Sequence, residues 1–306
     1  SSAASDVYKR QGDMQLISEA YSLLKNRKGL DNDAMAVVFD EWNGGELDSF
    51  LIEITANILR FRDEDGKPLL DKILDVAGQK GTGKWSAIAA MDENDPLTLI
   101  TEAVYARLLS ALYPERIKAA SLYSGKLKVE SGKLSDNAQL SIEDVRQALY
   151  AAKLISYAQG FSLLRHASEH YGWDLDYGTI ARIWRKGCII RSVFLQKITE
   201  AYRKDPDLEN LLFDDFFHTK IQEALPAWRR VVAEGALSGV ALPAMSSALN
   251  YFDGLRTLYS AANMIQAQRD YFGAHTYERT DRERGHFFHT NWTGEGGNTV
   301  SGTYSV

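Results

Sequence analysis

The sequence is poor in cysteine, proline and long apolar runs. Its 306 residues include one cysteine, Cys188, so a disulfide within the chain is excluded and a reducing, cytoplasmic location is the simpler expectation. Only six prolines interrupt the chain, which suits a helix-rich fold. No apolar run approaches the length of about 18 residues that a membrane-spanning helix requires, so we expect no membrane partner.

Positive charge is also scarce. Lysine and arginine number 35 against 41 aspartate and glutamate residues, which gives a net charge of −6. Because binding to a polyanion normally requires a basic surface, we expect no nucleic-acid partner, although a small anion could bind in a local basic pocket. The dinucleotide fingerprint G-x-G-x-x-G is missing, so the sequence shows no Rossmann-type coenzyme site of its own.

Helical periodicity dominates what is present. Apolar residues recur at intervals of three and four, and a capping box at Ser141 begins the longest such segment. Alternation with period two is weak, and the short strand candidates are residues 119–122 and 126–129. The predicted helices begin near residue 13 and include 84–91, 95–112, 141–170, 177–184, 193–203, 214–235, 243–258 and 260–272. The sequence therefore predicts an all-α fold.

The two ends of the sequence differ from this helical middle. Residues 1–11 lack an initiator methionine and a secretory signal, and they run without a loop into a helical segment at Asp13. Either this is a disordered or foreign start, or the chain is the carboxyl-terminal part of a longer protein. Residues 276–306 are aperiodic but contain Phe287, Phe288 and Trp292, which favours a tail that lies on its own domain or on a partner subunit.

The most informative local string is Gly78-Gln79-Lys80-Gly81-Thr82-Gly83-Lys84-Trp85. Loop amides, a helix amino terminus and two lysines favour an anion such as phosphate or carboxylate. The string departs from a phosphate-binding P-loop at Trp85, where Ser or Thr would hold magnesium, so a P-loop nucleotidase is disfavoured. A glycine-rich helix start with solvated lysines is the alternative.

Three further groups of residues could bind a ligand. Arg107 lies on an apolar helix stripe, where an ion pair is the usual explanation and an anionic ligand the alternative. Arg269 and His275 flank the predicted helix end at Gly273, where a capping cation and a surface histidine are the alternatives to an anion site. His166 and His170 have metal-ligand spacing, but no third ligand accompanies them, so surface positions without a metal are favoured.

Several of these strings together resemble the carboxyl-terminal part of 6-phosphogluconate dehydrogenase, the decarboxylating enzyme of the pentose phosphate pathway. They occur in family order over about residues 12–306. The matching strings are Gly12 to Leu16, Ala77 to Trp85, Glu102 to Arg107, Ile183 to Arg185 with Gly187 to Arg191, Gln268 to His275, and His289 to Thr293.

The resemblance implies a fold and a domain organisation. Family members have a Rossmann-type coenzyme domain, then a large all-helical domain, then an extended, mostly irregular tail that reaches the other subunit of a homodimer. By resemblance, this chain holds a non-matching segment at residues 1–11, the helical domain at residues 12–275 and the tail at residues 276–306, and the coenzyme domain is absent.

The resemblance also implies a reaction. The family converts 6-phosphogluconate to ribulose 5-phosphate and carbon dioxide while reducing NADP, with a lysine as general base, a glutamate as general acid and no metal. Counted back from Asp13, these two positions hold Ala3 and Arg10 here, and the neighbouring His and Asn positions hold Asp6 and Val7. No catalytic role carries over, so we expect the chain to be inactive alone, with NADP bound mainly by the absent domain.

Substrate binding does carry over by resemblance. Lys80, Thr82 and Arg107 match residues that contact 6-phosphogluconate, and the two cations lie around its phosphate. Arg269 and His275 match a pair that is donated across the dimer to the phosphate end. The resemblance therefore favours ligand contacts at these five residues. A non-catalytic helical module for dimerisation or sugar-phosphate binding is the alternative function.

Overall fold

Helices make up nearly all of the regular structure. The computed structural model describes residues 2–78, 80–123, 140–187 and 193–294. Within these ranges the only strands are β1 (Tyr277–Glu278) and β2 (Phe287–Phe288), which pair antiparallel. The prediction of an all-α fold is therefore confirmed, and the described part of the chain contains no parallel sheet of the Rossmann type.

The described residues between 61 and 81 contain no α-helix, and two 3-10 turns lie at Leu70–Lys72 and Leu211–Phe213. None of the described helices is long and apolar enough to cross a membrane. In chain order the helices are α1 (Ser2–Asn26), α2 (Asn32–Asn43), α3 (Phe50–Arg60), α4 (Thr82–Asp92), α5 (Thr98–Ala111), α6 (Tyr113–Tyr123), α7 (Ile142–Tyr171), α8 (Tyr177–Gly187), α9 (Val193–Lys204), α10 (Asp215–Ser238), α11 (Pro243–Leu255) and α12 (Ala262–Gly273).

The strand predicted at residues 119–122 is wrong, because these residues belong to α6. Pro114 and Glu115 occupy the first turn of α6, where both favour a helix start, and no described residue of α6 is buried. The sequence of α6 therefore has no stripe of apolar residues that faces the core. The other strand candidate, residues 126–129, lies outside the described residues.

The chain divides into two compact units, Ser1–Phe252 and Asp253–Val306. Unit 1 is organised around α7, which packs against α1 and α10. Every residue from 148 to 159 is buried, so the middle of α7 is enclosed on all sides. The predicted capping box is present, with Ser141 and Asp144 exchanging two hydrogen bonds of 3.0 Å.

Polar contacts of α7 hold the neighbouring helices α1 and α5. Lys153 is fully buried and lies 3.7 Å from Asp13 of α1. The side chain of Gln159 accepts a hydrogen bond from the Leu99 amide (3.1 Å) and donates one to the Thr98 hydroxyl (2.9 Å). Since Thr98 and Leu99 begin α5, Gln159 supplies the cap that α5 lacks in its own sequence. This contact sets the start of the helix that carries Arg107.

Unit 2 contains α12 and the β1–β2 hairpin. Asp270 of α12 is its only fully buried charged residue among those described. Unit 2 begins at Asp253, so α12 and the tail belong to the same unit. The predicted boundary between residues 275 and 276 separates the helical domain from a tail that packs on a partner subunit. This boundary stays a prediction.

Candidate anion-binding site

The glycine-rich segment of unit 1 leads into the amino terminus of α4. Gly81 precedes the helix with a left-handed φ of 90°, and no side chain caps the first amides. Uncapped amides at a helix start carry partial positive charge and are donors for an anion. Thr82 is the first residue of α4, so one anion could accept hydrogen bonds from its hydroxyl and from these amides. Lys80 is exposed and lies two residues before Thr82.

Gly83 allows α4 to approach its neighbours closely. The residue is buried, and a Cβ atom built on it would overlap the side chain of Gln11 and lie 2.7 Å from Val104 of α5. The amide of Gln11 also donates to the Thr82 hydroxyl at 3.4 Å. In the sequence Gly81-Thr82-Gly83, the first glycine makes the turn, Thr82 offers a hydrogen-bond donor for an anion, and the second glycine allows the close contact between helices.

Arg107 of α5 points to this loop. The residue is half-buried, and its guanidinium makes two weak contacts, to the Gly78 carbonyl (Nη1 to O, 3.5 Å) and to the Met14 sulfur (Nη2 to Sδ, 3.8 Å). Leu108 beside it is 45% exposed, so Arg107 lies where the buried stripe of α5 ends. The contact with Gly78 brings the guanidinium to the segment that carries Lys80 and Thr82.

No carboxylate of the described residues lies within ion-pair distance of Arg107 or Lys80. The ion pair that residue type alone favours for Arg107 is therefore not found there. Burial lowers the pKa of the Arg107 guanidinium, although arginine remains protonated at neutral pH. Two cations and a helix amino terminus without a neutralising carboxylate form a site suited to an anion.

Arg269 and His275 lie in unit 2, where α12 ends. Arg269 is exposed, and its Nη1 donates to the side-chain oxygen of Gln266 at 3.0 Å. The ring of His275 packs over Gly273, where a Cβ atom would lie 2.7 Å from Nε2, and stands edge-on to Phe272. Neither residue is within ion-pair distance of a carboxylate among those described. The side chains of Arg269 and His275 are therefore also available to an anion.

Sequence reasoning missed Asp270, which holds unit 2 together. Its buried carboxylate accepts hydrogen bonds from the Thr276 and Thr290 amides, the His289 Nδ1 and the Trp292 indole, at 2.9 to 3.1 Å. Burial alone would raise the pKa of Asp270, but these hydrogen bonds together outweigh it and lower the pKa to about 2. Four of the hydrogen bonds that fix the described part of the aromatic tail to α12 therefore end on this one carboxylate.

His166 and His170 each contact a carboxylate, and the His170 side chain is 60% exposed. His166 Nδ1 lies 2.7 Å from Asp95, and His170 Nδ1 lies 2.9 Å from Glu93. Both contacts join α7 to the loop between α4 and α5. In the described part of the chain no three His, Cys, Asp or Glu side chains come together in a way that could hold a metal ion.

The P-loop alternative loses support in the structure. A P-loop connects a strand to a helix, whereas the described residues before α4 form no strand. Trp85, at the position that would hold magnesium, is 71% exposed. The fold and the site define an all-helical domain that presents basic side chains without carboxylate partners among the described residues.

The chain matches the family model of the 6-phosphogluconate dehydrogenase C-terminal domain over residues 10–292. It belongs to this family. The predicted resemblance is confirmed, and the match includes Lys80, Thr82, Arg107, Arg269 and His275.

Relatives of known name support the same assignment. The decarboxylating 6-phosphogluconate dehydrogenases of Rattus norvegicus and Homo sapiens are 55% and 54% identical to the chain over 295 residues. These alignments cover 96% of this chain but 60% of each relative, so the chain spans about three fifths of their length.

A solved structure shows the same fold. Plasmodium falciparum 6-phosphogluconate dehydrogenase, studied in its apo form and with its cofactor NADP+ or its substrate 6-phosphogluconate, is 42% identical. It superposes with a TM-score of 0.89 over 95% of this chain and 62% of that chain.

Proposed function

We propose that this chain is the substrate-binding helical part of a decarboxylating 6-phosphogluconate dehydrogenase. Its ligand is 6-phosphogluconate, and Lys80, Thr82 and Arg107 contact it from unit 1. The observation that carries this proposal is the guanidinium of Arg107, which is half-buried beside an uncapped helix start and has no counter-ion among the described residues. A phosphate supplies the charge that such a site needs.

Arg269 and His275 complete the proposed phosphate site, donated by the second subunit of a homodimer. Support comes from the exposed apolar surface of unit 2, which includes Tyr259 (82% exposed) and Phe272 (67% exposed). Surfaces of this kind on a folded unit mark interaction sites. A cytoplasmic location belongs to the same proposal and rests on the family resemblance and the single cysteine.

We propose NADP as the coenzyme of the whole reaction, bound mainly outside this helical domain. The described residues do not fit a dinucleotide, because they contain neither a parallel sheet nor a glycine fingerprint at a strand end. The family positions of the general base and acid hold Ala3 and Arg10. Loss of either group typically costs 10²–10⁴-fold in rate, so robust NADP reduction by the chain alone would contradict this part of the proposal.

Titration calorimetry with 6-phosphogluconate tests the binding proposal. Arg107→Ala is expected to weaken affinity by about 10-fold to 100-fold, because a charge-assisted hydrogen bond contributes roughly 1.5–3 kcal/mol. Arg203→Ala is the matched control, since Arg203 is an exposed arginine of α9 and no hydrogen bond or ion pair among the described residues joins it to the glycine-rich loop. Equal affinities for the two variants, or no binding by the unaltered chain, would reject the proposed ligand contact.

A further inference from the structure

His275 lies between two residues with left-handed backbone. Ala274 has a φ of 50° and Thr276 a φ of 60°. Residues other than glycine rarely adopt such angles, and a β-branched threonine does so least readily. Backbone strain of this kind persists only where neighbouring groups hold it, and it concentrates at ligand sites. The contacts that hold this turn are therefore informative.

Helix α12 holds the turn through Asp270 and Gln266. The Ala274 amide donates to the Asp270 carbonyl at 2.9 Å, and the Thr276 amide donates to the Asp270 carboxylate at 3.0 Å. The carbonyl of Thr276 accepts a hydrogen bond from Gln266 Nε2 at 2.5 Å. Both backbone polar groups of Thr276 are thus bound to side chains of α12, which fixes the position of His275 beside them.

The same carboxamide also holds Arg269. Gln266 accepts a hydrogen bond from Arg269 Nη1 through its oxygen and donates to Thr276 through its nitrogen. Only one orientation of the carboxamide satisfies both partners, because its oxygen cannot donate and its nitrogen cannot accept. Gln266 therefore links Arg269 to the turn that carries His275 through a single side chain.

Gln266 is uncharged, and this affects how Arg269 can bind an anion. Arg279, also in unit 2, pairs with the carboxylate of Asp281, which neutralises it. Gln266 fixes Arg269 without supplying a negative charge, so the guanidinium keeps its full attraction for an anion. Groups that are fixed before binding lose less conformational entropy when the ligand arrives.

We propose that Gln266 is a positioning residue that sets Arg269 and the His275 turn relative to each other as a preformed pair for a phosphate group. The identity of the ligand, 6-phosphogluconate, rests on the proposed function. The positioning itself rests on the hydrogen bonds within unit 2. The two statements can therefore fail separately.

The first test compares Gln266→Leu with Gln268→Leu in the whole chain. Gln268 is an exposed glutamine of the same helix, so both variants replace a glutamine of α12 with leucine and have the same helix propensity. Gln266→Leu should weaken 6-phosphogluconate binding about threefold to tenfold, as expected for one or two lost hydrogen bonds. In an Arg269→Ala background the same change should have less effect, because Gln266 acts partly through Arg269.

The second test needs no ligand. NMR relaxation of the Arg269 Nε–H group and hydrogen exchange of the Thr276 amide report the order of the pair directly. Both should show greater mobility in Gln266→Leu than in Gln268→Leu. Identical relaxation and exchange in the two variants would overturn the positioning role. Greater mobility in Gln266→Leu without any 6-phosphogluconate binding by the unaltered chain would keep the positioning role and reject the proposed ligand.

Discussion

Arg107 differs from other partly buried arginines of unit 1 because it has no counter-ion among the described residues. Arg146 binds Glu46 and Glu143, and Arg165 binds Glu169. Partly removing a cation from water without such a partner costs free energy, unless a ligand supplies the missing counter-charge. The charge of Arg107 is therefore better explained by binding than by stability.

Asp270 is the residue whose removal should most affect unit 2. Asp270→Asn keeps one acceptor oxygen and replaces the other with an NH2 group. That NH2 group would face N–H donors among those of Thr276, His289, Thr290 and Trp292, with which it cannot form hydrogen bonds. We expect the hairpin to lose order, with a change in Trp292 fluorescence. Asp281→Asn is the control, because Asp281 is exposed and its ion pairs with Arg279 and Arg282 contribute little. Equal fluorescence spectra in the two variants would contradict the central role of Asp270.

The pH dependence of unit 2 follows from the same carboxylate. Hydrogen bonds lower the pKa of Asp270 to about 2, below its ordinary value of 3.8. A group with a lowered pKa adds stability above its unfolded pKa and loses it as pH falls toward the folded value. The Trp292 signal should therefore stay constant down to about pH 4 and change between about pH 4 and pH 2. A change centred well above pH 4 would contradict this dependence on Asp270.

At the scale of helices, the glycines around α4 have different tasks. A Cβ on Gly83 would overlap Gln11 and crowd Val104, and Gly81 needs a positive φ, whereas Gly78 has open space and no unusual φ. Alanine should therefore lower the free energy of unfolding most at Gly83, less at Gly81 and least at Gly78. The expected losses are about 1–3 kcal/mol at Gly83 and less than about 0.5 kcal/mol at Gly78. Chemical denaturation measures these values, and an equal loss for Gly83 and Gly78 would contradict the close approach of α4.

Much of the helical fold could be predicted because its pattern is local. Helices α7 and α9 were expected within a residue or two of their observed ends, since capping residues and apolar stripes lie within each segment. Helix α2 was not predicted, although Asp31 caps its start. Helix α6 carries no buried stripe, so periodicity could not reveal it.

The contacts that shape the sites could not be predicted, because they join distant parts of the sequence. Gln159 caps α5 from 60 residues away, and the Asp270 cluster depends on how the tail returns to α12. The sequence did identify Lys80, Thr82, Arg107, Arg269 and His275 through the family strings. Their role in binding stays a prediction. Gln266 was not identified, because a glutamine in a helix carries no distinctive pattern.

For the whole molecule, Glu19 links stability to pH. Its buried carboxylate in α1 accepts hydrogen bonds from the Ala244 and Met245 amides at the start of α11. Burial raises the pKa of Glu19 from 4.5 to about 7, and the hydrogen bonds only partly oppose this. A group with a raised pKa stabilises the fold below its unfolded pKa, and this contribution is lost as pH rises through the folded value.

Glu19→Gln should remove this component of the pH dependence. The difference in unfolding free energy between the unaltered chain and the variant should change by about 3 kcal/mol from pH 4.5 to pH 8, with the unaltered chain losing stability as pH rises. Denaturant titrations at several pH values measure this difference. Parallel pH profiles would show that Glu19 titrates in the folded protein as it does in the unfolded chain.

Binding of 6-phosphogluconate is the central claim, and thermal unfolding of the whole chain tests it most directly. At 100 times its dissociation constant a ligand stabilises the folded state by about 2.7 kcal/mol, which raises the melting temperature by several degrees. We predict this rise with 6-phosphogluconate and none with magnesium-ATP. A rise with magnesium-ATP alone would restore the P-loop interpretation, and no rise with either ligand would contradict a formed phosphate site in this chain.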